Sequence, residues 1–203
     1  MWYFNGEIIK TPKAMTISDV THPAAIFRDS ATLTSLGIKP YKEVTPDSRY
    51  YTTGAYSVNT SGAEVVGTYA GTAKTVANLK KELLAEVHNA VASRQANIDW
   101  YWSRADKGGT AVPSNIATYA TTIYTEQDAK ETEIAALNTL TKIKEYHARS
   151  YTETRKTAKY NDDGSFKEYD GTHTLAREIN MCTHFTANPN DEVDPAFVSL
   201  VAD

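Results

Sequence analysis

The sequence predicts an α+β fold: a small N-terminal antiparallel sheet with one short helix, then a long αα-hairpin, then an irregular C-terminal region with a β-hairpin and an extended arm. Three observations carry this. Up to about residue 72, short runs rich in Tyr, Val and Thr alternate with turn-forming residues, the pattern of hairpin strands. From about Thr75 the apolar residues take up helical spacing and keep it to about His147. Beyond Arg149 the chain turns polar, with Asn, Asp, Gly and Pro interrupting each short run. The expected parts are residues 1–72, 73–148 and 149–203.

In the first part, "WYFNGEII" sets Asn5-Gly6 between two apolar runs. Both residue types tolerate the positive φ of a type I′ turn, so a hairpin is predicted. Ser30 is placed to N-cap a short helix, Leu33 and Leu36 form its apolar side, and Gly37 ends it. Further on, "RYYTTGAYSVNTSGAEVVGTYAG" reads as two strands joined at "NTSG".

The second part begins a long amphipathic helix on Val76, Leu79, Leu83, Val87, Ala90/Val91, Ile98 and Tyr101/Trp102, with an irregularity near Asn97. Gly108-Gly109 stops it, and Pro113 suits the first turn of a second helix. Ile116, Tyr119/Ala120, Ile123, Ile134, Leu137, Leu140 and Ile143 continue that helix across a weak polar patch at residues 127–130. In the third part, "TAKYNDDGSFKEY" predicts a hairpin about residues 161–164, and "TLAREINMCTHF" a short helix or strand.

Composition narrows the function. The net charge is −4 and the 21 Lys and Arg are dispersed, so no basic patch points to nucleic acid. No apolar run approaches the roughly 18 residues that span a bilayer, and the N-terminus lacks the form of a signal peptide. The expectation is a protein made in the cytoplasm and soluble there, with neither nucleic acid nor membrane as partner. There are 13 Tyr against 5 Phe, and Tyr suits half-exposed sheets and contact surfaces. The single Cys182 excludes an intramolecular disulfide.

Catalytic and metal constellations are not visible. His22, His88, His147, His173 and His184 form no HxH or HExxH set, and Glu86 and His88, two apart, do not share a helix face. "NDDG" lacks the alternation of a calcium loop. Cys182 and His184 have no third orienting group in the sequence. The glycines of "GAEVVGTYAG" lack a P-loop Lys. No cofactor and no metal are expected, and the chain reads as a non-enzyme.

The densest stretch is "DWYWSRADKGGTAVPS". Trp100, Tyr101, Trp102 and Arg104 could form a stacking platform for sugars or bases. Adjacent helical residues point about 100° apart, however, so three of them form no single flat face. The favoured reading is a cap over the open end of the hairpin, with Arg104 and Asp106 fastening the loop. On that reading Trp100 is buried, and truncating it costs about 3–5 kcal/mol.

Two stretches carry a resemblance. "FNGEIIKTPKAMTISDVTHPAAIFRDSATLTSLGIKPY" and "NIDWYWSRADKGGTAVPSNIATY" resemble small structural proteins of tailed bacteriophages of marine bacteria, related to tail-fibre and tail-fibre-assembly modules. The first is similar to the usual start of those proteins, a hairpin, a "xxPxxIF" step and a "LxxLGI" helix end. The second is similar to their helix-pair signature with its "GTxVPxxIxxY" step. With the helices around them these stretches cover roughly two thirds of the chain, and the region from about Arg149 departs from the pattern. The resemblance implies a virion protein of the tail, at the fibre attachment or baseplate region. Its partners would be copies of itself and other phage tail proteins. An assembly chaperone that leaves the finished particle, or a module that binds host-surface glycan, are the alternatives.

The tail, "NPNDEVDPAFVSLVAD", ends in Phe197, Val198, Leu200 and Val201 after two prolines and three acids. Burying such side chains is worth on the order of 1.5–3 kcal/mol each, so the segment is expected to dock across a subunit contact. Together with Trp100, Tyr101, Trp102 and Arg104 these are the expected interaction residues.

Overall fold

A computed structural model of the chain describes residues 1–192 and 194–203. Among them the fold is mixed α+β, with five α-helices and ten strands in three sheets. It divides into two compact units, Met1–Lys74 and Thr75–Asp203.

In the first unit β1 (Trp2–Phe4) and β2 (Glu7–Ile9) pair antiparallel about Asn5 and Gly6, whose φ values of 47° and 90° are those of the predicted turn. A second ribbon, β3 (Met15–Ile17) with β4 (Val20–His22), turns on Ser18 and Asp19, also at positive φ. No Asn-Gly pair announces it in the sequence. A 3-10 turn at Ala24–Arg28 leads into α1 (Ser30–Ser35). The cap is Asp29, one residue before the expected Ser30: its carboxylate accepts from the Ala31 N–H at 3.0 Å and from the Thr32 hydroxyl. Asp and Ser cap equally well, so two in succession leave the choice to the chain's entry angle. Ile26, Phe27, Leu33 and Ile38 form the core here, with Trp2 edge-on to Phe27 at 4.9 Å.

The remaining strands are β5 (Lys39–Val44), β6 (Tyr51–Asn59) and β7 (Val65–Ala73), giving a sheet of order β2-β1-β5-β7-β6. The expected antiparallel sheet is in fact mixed, because β5 and β7 run parallel. β6 and β7 do form the hairpin about "NTSG", but it is β7 that docks on β5. The reason lies in their side chains: β7 carries the fully buried Val65, whereas eight of the nine residues of β6 are exposed. The strand with something to bury takes the interior place.

In the second unit α2 (Val76–Ala96) buries Leu79, Leu83, Val87 and Val91. It packs on α4 (Ser114–Ala136), which buries Ile116, Tyr119, Ala120, Ile123, Lys130 and Ile134. Lys80 donates to the Ala135 carbonyl at 2.7 Å, so the start of one helix meets the end of the other and the pair is antiparallel. Both predicted long helices are interrupted. The first breaks at Asn97 and Ile98 and resumes as α3 (Asp99–Asp106), with Ile98 fully buried at the break. The second ends at Ala136, and Thr139 caps a separate α5 (Leu140–His147) by accepting from the Lys142 N–H at 3.2 Å. A Thr that offers its hydroxyl to the backbone starts a helix more readily than it continues one.

Past α5, β8 (Arg149–Tyr160) and β9 (Phe166–Ile179) form a long hairpin about the predicted turn. β10 (Phe197–Ala202) completes a sheet of order β10-β8-β9. The tail thus lies along β8 of its own chain, with a bulge between Phe197 and Ser199. Among the described residues no helix is long and apolar enough to cross a membrane.

Candidate functional site

The corner after α3 is built on a glycine pair, each member of which has its own necessity. Gly108 sits at φ 80°, and its N–H bonds to the Ala105 carbonyl at 3.0 Å. The Gly109 N–H reaches the Arg104 carbonyl at 3.0 Å, completing a Schellman end. A Cβ on Gly109 would come within 2.8 Å of that same carbonyl oxygen. The pair therefore fixes Arg104, whose guanidinium lies 4.9 Å from the Trp100 ring centre and 5.4 Å from that of Tyr101.

Two corrections follow. Trp100 is 51% exposed and covers no core; the buried residue at this end is Ile98. Moreover Trp100 and Tyr101, though adjacent, stack with ring centres 3.8 Å apart and planes 30° apart. The 100° between their Cα–Cβ directions is taken up by rotation about χ1 and χ2. Trp102 is half-buried and lies outside this stack. The Tyr101 hydroxyl accepts from Asn190 at 3.0 Å, which ties the segment before β10 to the corner.

The other predicted contact residues divide between two environments. Phe197, Val198 and Val201 stay substantially exposed on β10, and Leu200 is half-buried. Phe197 and Leu200 line a cleft whose other walls come from α4, β8 and the turn at residues 180–187. β10 is held by a clasp on β8: Arg155 donates to Glu153 at 2.6 Å and to Asp194 at 2.9 Å, and Arg177 of β9 donates to the other Glu153 oxygen. Glu153 is 3% exposed. The Arg155 hydrogen bond foremost, then that of Arg177, hold its carboxyl below the usual carboxylate range.

The cleft, about 730 Å³ in volume, has Lys130 among its lining. This residue is 7% exposed, and its ammonium lies 4.8 Å from the centre of the Phe185 ring. Burial pushes its pKa down, against the pull of Glu126 and Glu133. His184 is lowered too, by burial and then by Lys130, and its ring lies 6.1 Å from that of Tyr151. Cys182 is fully buried, and that burial pushes its thiol up to about 12, which keeps it protonated and non-nucleophilic at neutral pH.

The sequence left Lys130 in a weak polar patch, yet the register marks it: Ile123, Lys130 and Ile134 are spaced by seven and four, so the lysine falls on the buried stripe of α4. No such signal marks Glu153 or Phe185. Two of the five histidines find carboxylates, across elements rather than within one. His88 lies 2.8 Å from Glu131, and His147 lies 3.2 Å from Glu86. Among the described residues no group of three or more His, Cys, Asp or Glu is placed to hold a metal ion. Compared with models of protein families, with curated proteins and with solved structures, the chain matches none.

Proposed function

We propose that the chain is a non-enzymatic structural subunit acting through protein–protein contacts, in the tail of a tailed phage at the fibre attachment or baseplate region. The observation that carries this is the β8–β9 hairpin. Twelve of the fourteen residues of β9 are exposed, and its tip presents Tyr160 at 64% and Phe166 at 53% exposure. Phe166 packs on Tyr169 at 4.9 Å, so the tip is an organised aromatic surface and not a loose end. Contact surfaces are enriched in such residues. Long strand edges left open are a hazard that a subunit surrounded by neighbours turns to use. The phage assignment rests on the resemblance of the two sequence stretches, and the plan of an N-terminal β-rich module, a helical hairpin and a C-terminal hairpin with its arm is the one read from the sequence's own patterning.

Mass spectrometry of purified particles tests the reading. Stoichiometric presence of the chain supports it, with cross-links from the β8–β9 tip to a second copy or another tail protein. Absence from the particle together with presence in assembly intermediates favours the chaperone instead. A glycan-binding role has one observation in its favour, the exposed Trp100 stacked on Tyr101 beneath Arg104. Glycan-array binding that is lost in Trp100→Ala would establish it.

A further inference from the structure

Lys130 makes no hydrogen bond or ion pair with any of the described residues, although Glu126 and Glu133 lie near enough to favour its charge. An ammonium carries three donors and no acceptor, and buried charges are ordinarily paired. Among the described residues no acceptor lies within hydrogen-bonding distance of it, and its contact is with the face of Phe185. The nearby carboxylates are engaged elsewhere. Glu126 accepts from both the N–H and the hydroxyl of Thr186, and Glu133 pairs with Arg149 at 3.8 Å. The lining also holds apolar side chains, Phe185, Phe197, Leu200 and Met181, among polar ones that include Glu126, Glu133 and Ser199. The volume of about 730 Å³ lies within the range of roughly 300–1,000 Å³ usual for small-molecule sites.

We propose that this cleft binds a small monocarboxylate with an apolar body, the carboxylate seated on Lys130 Nζ and the body against Phe185, Phe197 and Leu200. One buried cation matches one negative charge. A phosphate dianion would bring a second charge, and the lining holds no second Lys or Arg to meet it. The site stands whether or not the chain serves in a virion.

The test is a titration of the full-length isotope-labelled protein with phenylacetate and, separately, with its neutral counterpart phenylacetamide, followed by NMR. Phenylacetate is expected to cause saturable shifts at His184, Phe185, Ser199 and Leu200, with phenylacetamide at least about tenfold weaker. In Lys130→Met, folded by circular dichroism, the two probes should bind alike. Lys130→Gln is a second variant for the same comparison. The wild-type contrast between the probes stands even if neither variant folds. Equal binding of the two probes to the wild type overturns the proposal. So does the absence of saturable shifts at millimolar phenylacetate, a charge preference that survives in either variant, or inorganic phosphate binding as well as phenylacetate.

Discussion

Trp100 shows how far a single residue's role depends on its neighbours. A Trp at the end of a helix beside a glycine corner invites a reading as a cap. The chain puts Ile98 there instead, at the break between α2 and α3, and turns Trp100 outward onto Tyr101. Truncation therefore loses a stacked pair and a cation–π contact, together about 1–2.5 kcal/mol, and not the ~3–5 kcal/mol of a core Trp. In urea denaturation, Trp100→Ala should lower the midpoint only modestly. A drop of the size expected for a core Trp would mean that the indole is buried after all. The same lesson applies to Lys130, which composition assigns to the surface and periodicity to the interior. Periodicity wins, because a helix has one buried stripe and cannot skip a position on it.

At the scale of elements, the Glu153 carboxylate of β8 accepts from Arg177 of β9 and from Arg155, and Arg155 in turn donates to Asp194 before β10. A carboxyl whose folded pKa lies below its unfolded value contributes stability above the unfolded value, near pH 4, and loses it as pH falls through the folded one. The melting temperature of the wild type should therefore fall in acid, below about pH 4. Glu153→Gln should melt lower at neutral pH and show a flatter profile, by calorimetry from about pH 3 to 7. Parallel profiles would show that other carboxylates set the acid limit. This clasp could not be read from the sequence: Glu153 and Arg155 share β8, but Arg177 stands on β9 and Asp194 before β10, and only the pairing of the strands brings the four together. The hairpins about Asn5-Gly6, Asn59 to Gly62 and residues 161–164 were legible, because their turns require particular residues. The β3–β4 turn was not, since Ser18 and Asp19 adopt positive φ without a glycine. Nor was the parallel β5–β7 pairing, which depends on which strand of a hairpin has an apolar side chain to bury.

For the whole molecule, the division at Lys74 and Thr75 implies that residues 75–203 hold a core of their own, running from Leu79 to Phe185. Produced alone, that segment should give a helical circular dichroism spectrum and a single cooperative melt. A fragment that stays unfolded would show that its core needs residues 1–74. Within this unit the order β10-β8-β9 leaves a free edge on each side. Such a sheet is divalent: the donors and acceptors on one flank have no means of knowing that the other is occupied. Copies that pair edge to edge would form a row whose length is indefinite, since nothing in a head-to-tail contact counts subunits unless the rotation between them closes a ring. Copy number would then be set from outside, by a template or by a terminating chain that offers one edge and withholds the other.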